Sequence, residues 1–108
     1  MRYATVATLT RGEFWNDGDA TEPYEAGWAG EAMIFARGLI PGGVEGVAHV
    51  QVSPDGIRWC DEGTVLKLLP GEDLSFAKIR EFGHFLRLRI VLPKGESRQM
   101  LATIALKA

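Results

Sequence analysis

Two runs with a β-strand pattern meet at a turn sequence near the middle of the chain. The first run ends at Val52 and is followed by Ser53-Pro54-Asp55-Gly56, and the second leads through Trp59. Proline presets φ for an early turn position, aspartate accepts hydrogen bonds from the nearby backbone, and glycine readily adopts positive φ. The sequence therefore predicts a β-hairpin centred on residues 53–59.

The clearest strand lies further along the chain, at residues 85–92. Apolar and polar positions alternate there, with Leu86, Leu88, Ile90 and Leu92 on one face and Arg87 and Arg89 on the other. A period of two is typical of a strand that is buried on one face only. We expect the leucine face to be core, and Trp59 to pack into the same core.

Weaker runs of the same kind complete the fold prediction. They are separated by turn sequences rich in proline and glycine, and they cover residues 2–9, 32–40, 45–52, 64–69, 74–79 and 100–106. About seven or eight short strands with turns at such spacing predict an all-β fold. We expect one antiparallel β-sandwich spanning residues 1–108, a jelly roll or a related Greek key.

Charge and composition exclude several classes of function. The 108 residues carry 12 Lys+Arg and 14 Asp+Glu, which gives a net charge of -2. The chain thus lacks the excess of positive charge that binding to nucleic acid or to an anionic membrane requires. The single cysteine, Cys60, rules out an internal disulfide framework. There is no signal-peptide pattern and no apolar run of membrane-spanning length. We expect a cytoplasmic or virion-associated protein.

Residues 12–30 fit neither the strand nor the helix period and form a long aromatic loop in this interpretation. Four aromatic side chains lie among acidic residues there, namely Phe14, Trp15, Tyr24 and Trp28. Such a segment is usually functional or an interface. We expect a subunit contact anchored by Trp15 and Trp28, or a cap on one end of the sandwich. Stacking on sugar rings is the alternative.

The sequence offers little for catalysis, metal or cofactor binding. His49 and His84 have no serine or cysteine beside them, so neither resembles an activated nucleophile pair. Residues 16–19 with Glu22 supply oxygen ligands but depart from the order of a calcium loop, and an acidic turn is the simpler interpretation. We expect no enzyme, no cofactor and no metal site. Outward-facing Arg87 and Arg89 could instead bind carboxylates of a neighbouring subunit.

The hairpin and the late strand also resemble a known family. The order Ser-Pro-Asp-Gly-x-x-Trp, then Gly-Thr, then Phe-Gly-His-Phe-Leu-Arg-Leu-Arg-Ile is similar to the discoidin, or coagulation-factor C-type, sandwiches. It is also similar to small sandwich proteins of bacteriophage and virion gene sets. The resemblance covers residues 31–108. The chain lacks the paired terminal cysteines of discoidin domains, so their membrane-binding and glycan-binding loops do not transfer to it.

These observations favour a non-catalytic structural or interaction module. We expect it to self-associate as a homo-oligomer and to decorate a virion or a protein shell. The alternative is a carbohydrate-binding module that uses the aromatic side chains of residues 12–30 to bind a glycan.

Overall fold

A computed structural model describes residues 4–80 and 82–108, and this part of the chain consists of strands and connecting turns. The eight strands are β1 Ala4–Asn16, β2 Tyr24–Glu25, β3 Glu31–Gly38, β4 Gly46–Ser53, β5 Cys60–Leu68, β6 Ser75–Arg80, β7 Phe85–Val91 and β8 Ser97–Lys107. The first two positions of the strand predicted at residues 2–9 lie outside the described residues.

The strands form two four-stranded sheets. The first sheet has the order β1-β8-β3-β6 and the second has the order β2-β7-β4-β5, and all neighbours in both sheets run antiparallel. Strands β1 and β6 are therefore the edges of the first sheet, and β2 and β5 are the edges of the second. The predicted antiparallel β-sandwich is confirmed.

The core lies between the sheets and contains the side chains that alternation assigned to it. The predicted faces of β7 and β8 are both buried, namely Leu86, Leu88, Ile90, Leu92, Met100, Ala102, Ile104 and Leu106. Ile34 of β3 and Leu66 and Leu68 of β5 fill the space between them. A side chain of this size contributes roughly 1.5–3 kcal/mol when it is fully buried.

The segment from residue 12 to residue 30 is more regular than expected. Residues 12–16 belong to β1, which continues past two register shifts, between Thr8 and Thr10 and between Arg11 and Phe14. Such bulges break the period of two, so the pattern of a strand was lost in the sequence. The expectation of a loop starting at residue 12 is corrected to a connection that starts after Asn16.

The rest of this segment follows the edge of β7. Gly18 donates its backbone N–H to the carbonyl of Ile90 at 2.8 Å, and Ala26 donates to the carbonyl of His84 at 2.8 Å. Between them the Thr21 Oγ1 atom accepts the N–H of Leu88 at 2.9 Å. The connection is thus held along its length by hydrogen bonds within the same chain.

The predicted hairpin is formed by β4 and β5, with a wider loop than a two-residue turn. Val52 pairs with Cys60, and residues 54–59 form the connection. Gly56 adopts φ 76°, as its place in the turn requires. The Asp55 Oδ1 atom accepts the backbone N–H groups of Ile57 and Arg58 at 2.8 and 2.9 Å.

A buried arginine joins two loops at one end of the sandwich. Arg98 of β8 is only 4% exposed, and its guanidinium donates to the carbonyls of Val44 at 2.7 Å, Leu69 at 2.9 Å and Gly71 at 3.0 Å. A Cβ atom on Gly43 would lie 2.8 Å from Nε of this arginine. The guanidinium therefore holds the turns after β3 and β5 against β8.

Candidate interaction surface

Trp15 is a core residue of this chain. Its side chain is 4% exposed, and its indole Nε1 donates to Oγ1 of the buried Thr10 at 3.2 Å. The prediction that Trp15 anchors a subunit contact is wrong, because this side chain packs into the core of its own sandwich.

The other three predicted aromatic residues do not meet on one surface. Tyr24 pairs with Leu86 and packs against the core, whereas Phe14 and Trp28 are exposed. Phe14 lies opposite Gln99, and Gly30, two residues after Trp28, donates to the carbonyl of Lys107. Positions 99 and 107 of β8 are roughly 26 Å apart at ~3.3 Å per residue. Phe14 and Trp28 thus lie towards opposite ends of the first sheet.

Arg87 and Arg89 lie on the outer face of the second sheet, as the alternation predicts. Arg87 is half-buried, its guanidinium carbon is 4.3 Å from the ring centroid of Trp59, and its Nε donates to Gln51 at 2.8 Å. Burial and the neighbouring charge of Arg89 lower the pKa of Arg87 from its usual range. The prediction that Trp59 packs into the core is wrong, because it stacks on Arg87 outside the sheet.

The acidic turn uses its carboxylates to bind backbone groups. Asp17 Oδ1 accepts the N–H of Leu92 at 3.1 Å, and Asp19 Oδ2 accepts the N–H of Asn16 at 2.9 Å and its Nδ2 at 3.1 Å. Within residues 4–80 and 82–108, no three His, Cys, Asp or Glu side chains are grouped as a metal site would require. These contacts explain the acidic residues of the turn, because their carboxylates help to hold β1 to β7.

His49, His84 and Cys60 each contact different residues. His84 Nε2 is 3.2 Å from Glu25 Oε1, and its ring lies against Gly27 and 4.7 Å from the ring centroid of Phe85. His49 faces Arg89 across β4 and β7. Cys60 is exposed, with its Sγ 3.8 Å from the carbonyl of Val52.

A group of adjacent apolar side chains is partly exposed where the sheets end at β5 and β6. We call this group the β6 patch, and its members are Met33, Phe35, Val65, Leu74 and Phe76. Leu74 is 60% exposed, Phe76 58% and Val65 44%. The Phe35 and Phe76 ring centroids are 6.3 Å apart. Because contiguous apolar surface is uncommon on soluble monomers, this patch is the strongest candidate for an interaction surface.

Two shallow grooves meet along this patch. A groove of about 350 Å³ is lined by Val65, Leu74 and Phe76. The second, of about 360 Å³, lies on the outer face of the first sheet and is lined by Met33 and Phe35. The hydroxyl of Ser75 donates to the carbonyls of Lys67 and Ala36, which fixes the edge of one sheet against the edge of the other.

Charges of opposite sign flank the two ends of β6. Glu72 and Asp73 precede the strand, and Lys78 and Arg80 lie at its end. Glu72 makes an ion pair of 3.9 Å with Arg37, and Arg80 makes one of 3.9 Å with Glu31. The patch thus has an acidic end, an apolar middle and a basic end.

The sequence pattern does not indicate the β6 patch. It predicts only a weak strand at residues 74–79, yet Leu74 and Phe76 have exposed apolar side chains on one face while Ala77 and Ile79 are buried on the other. The apolar side chains of the exposed face lie only at its start, because Lys78 and Arg80 follow Phe76 on the same face. Two exposed apolar residues at one end of an amphipathic strand are therefore the signal that could have indicated this surface.

No protein-family model matches this sequence, and no curated protein matches it. Among solved structures, the SPBc2 prophage-derived protein YomS is similar over 100% of this chain and 96% of its own, with a TM-score of 0.70 and 8% identity. The PBSX exported protein XepA is similar over 98% of this chain, with a TM-score of 0.60 and 13% identity. This chain covers 36% of XepA.

At such low identity the two likenesses establish the fold alone. YomS is described as a prophage-derived protein and XepA as an exported protein. The discoidin-like assignment is not confirmed. Over residues 4–80 and 82–108, no helix has the length and apolar character needed to cross a membrane.

Proposed function

We propose that this protein is a non-catalytic structural module of phage origin that self-associates through the β6 patch. The observation that carries the proposal is the exposure of Leu74 and Phe76 beside Phe35 and Val65, at an edge where both sheets end. Burying such side chains against a second copy removes apolar surface from water at roughly 25 cal/mol per Å². An edge strand also presents unpaired backbone groups that a second chain can satisfy.

Two further observations support this proposal. The chain shares its fold with XepA and with the prophage-derived protein YomS, and the latter likeness supports a role on a virion or protein shell. The carbohydrate alternative is weaker, because Trp15 is buried and Phe14 lies away from Trp28, so the aromatic side chains predicted to bind a glycan do not share one surface.

We also assign the sandwich to the jelly-roll class. Strand β1 pairs with β8, β2 with β7, β3 with β6, and β4 with β5. This is the pattern expected when one long hairpin is wrapped around a common core, and it supports the assignment. Jelly rolls occur in viral capsid domains, so the assignment agrees with the proposed role.

Sedimentation equilibrium tests the proposed function with one variant and one control. The double substitution Leu74→Ser and Phe76→Ser removes the two most exposed side chains of the patch. We expect the wild type to exceed its monomer mass of 11.8 kDa at high concentration and the double variant to remain at that mass. Circular dichroism checks that both remain folded.

The control is Ile57→Ser in the loop between β4 and β5. Ile57 is an exposed apolar side chain outside the patch, so its loss tests whether any exposed apolar residue would have the same effect. We expect this control to associate like the wild type. A wild type that stays monomeric at millimolar concentration, or a double variant that associates normally, would show that the proposed function is wrong.

A further inference from the structure

We propose that two copies of this chain join by antiparallel pairing of β6 with β6 of the second copy, about a two-fold axis at Phe76. This inference rests on the proposed self-association and specifies its geometry. Closed two-fold dimers are the commonest oligomers, and in them one patch meets the same patch of the partner. The arrangement continues the first sheet from one copy into the next.

The position of β6 makes this pairing available. Its backbone ladder pairs with β3 alone, it is the last strand of the first sheet, and it contacts β5 at its start, where the Ser75 hydroxyl binds the carbonyl of Lys67. Its other side carries the alternate backbone N–H and C=O groups that a ladder requires. Strand β1 at the opposite edge has two register shifts, which are features that disfavour pairing with another chain. Regular β6 is therefore the better of the two edges for association.

The charge pattern of β6 is complementary to itself when the strand is reversed. In an antiparallel pair centred on Phe76, Leu74 lies opposite Lys78 of the second copy, and Glu72, in the turn just before the strand, comes near Arg80. The acidic start of each strand thus meets the basic end of the other, twice in one dimer. Opposite charges directly across two strands are favourable, and like charges are unfavourable.

The centre of the pairing brings two aromatic rings together. Residues directly opposite in an antiparallel pair have Cβ atoms roughly 4.5–5.5 Å apart, so the two Phe76 rings would be in contact. Each ring already lies beside Phe35 of its own chain, with centroids 6.3 Å apart. A row of four phenylalanine rings would then cross the interface, and apolar contact would surround the axis.

The charged residues are free to exchange their present partners. The side chain of Arg80 is 82% exposed and that of Glu72 is 53% exposed, and each has an ion pair at 3.9 Å. Exposed pairs of this length contribute little to folding. Moving these groups to a partner across the interface costs little, and reversing either charge should leave the monomer folded.

Charge reversal tests the proposed β6 pairing. Each variant should dimerise poorly alone, and the two variants should dimerise with each other when mixed. Glu72→Arg places two like-charged pairs in its own dimer, and Arg80→Glu does the same with the opposite sign. We expect each variant alone to raise the dimer dissociation constant at least about tenfold. A 1:1 mixture has two attractive pairs, so we expect it to dimerise within about threefold of the wild type.

Matched controls and a salt series define the result. Glu96→Arg and Lys94→Glu reverse the same charges in the exposed turn between β7 and β8, and we expect neither to change the constant more than about twofold. Because these are exposed pairs, the effect of each β6 variant should shrink at about 1 M salt. Analytical ultracentrifugation gives all constants.

Two outcomes would overturn the inference and separate it from the proposed function. If the wild type dimerises but the β6 variants keep its dissociation constant, or their mixture fails to associate, the β6 pairing is wrong and self-association stands. If the wild type is monomeric at every concentration, both proposals are wrong.

Discussion

The guanidinium of Arg87 lies 4.3 Å from the ring centroid of Trp59 on the outer face of the second sheet. This contact links the hairpin loop to β7 from outside the core. A partly exposed cation–π pair contributes roughly 0.5–1 kcal/mol, whereas truncation of a core tryptophan costs about 3–5 kcal/mol. We therefore expect Trp59→Leu to lower the free energy of unfolding by less than about 2 kcal/mol.

A double-mutant cycle with Arg87→Met measures this contact. We expect a coupling energy of about 0.5–1 kcal/mol between the two side chains in urea unfolding. A decrease in the free energy of unfolding of more than about 3 kcal/mol for Trp59→Leu, with no coupling to Arg87, would indicate that Trp59 is a core residue.

Arg98 is expected to be the most costly arginine to replace. Arg98→Met removes the donors to Val44, Leu69 and Gly71 and leaves their carbonyls to find other partners. Hydrogen bonds to charged groups contribute about 1.5–3 kcal/mol each, so we expect a loss of about 3 kcal/mol or more in chemical denaturation. The exposed Arg89→Met is the control, with an expected change within about 0.5 kcal/mol. Equal effects of the two substitutions would contradict this role.

Trp15 and Phe14 are neighbours in sequence but should respond in opposite ways. Trp15→Ala removes a buried indole and its bond to Thr10, and we expect a loss of about 3–5 kcal/mol in the free energy of unfolding. Phe14→Ala changes an exposed side chain, and we expect a change within about 0.5 kcal/mol. Thermal and urea unfolding measure both values. A stable Trp15→Ala protein that only loses assembled mass would instead support an interface role.

The loop after β4 should be sensitive to acid because of Asp55. The backbone N–H groups of Arg58 and Ile57 hold the pKa of this carboxyl below its ordinary value, with a further contribution from the Ser53 hydroxyl. A lowered pKa in the folded state means that the stabilisation is present above the unfolded pKa and is lost as the pH falls through the folded pKa.

An NMR titration of the Asp55 carboxyl and the Ile57 amide measures this effect. We expect a carboxyl pKa below about 3.9 and an Ile57 amide shift with the same midpoint. In Asp55→Asn this midpoint should disappear from the amide titration. A carboxyl pKa at or above about 3.9 would contradict the assigned hydrogen bonds.

Alternation of apolar and polar residues correctly predicted burial in the regular strands, where the position of a residue along the strand decides the face on which its side chain lies. Leu88 and Ile104 are core because regular strands give each face a fixed set of positions. Trp59 was misplaced because residues 54–59 leave the ladder, so counting from Val52 no longer indicates a face. Trp15 was misplaced for a different reason: the two register shifts between Thr8 and Phe14 interrupt the alternation and hide the strand, although together they restore the phase that places Trp15 inward.

The interaction surface depends on information that no local pattern contains. Phe76 is exposed because β6 is the last strand of its sheet, and this position follows from the order of all four strands. The pairing of β1 with β8 and of β3 with β6 joins residues far apart in sequence. Only the assembled sheets show which apolar positions remain uncovered.

Amide hydrogen exchange at low and high protein concentration tests the central claim most directly. It compares the two edges of the same sheet, so β1 serves as an internal control for β6. We predict that the β6 amides directed away from β3 exchange more slowly as the concentration rises, while those of residues 4–8 do not change. Slower exchange at β1 instead, or no dependence on concentration at either edge, would contradict self-association through β6.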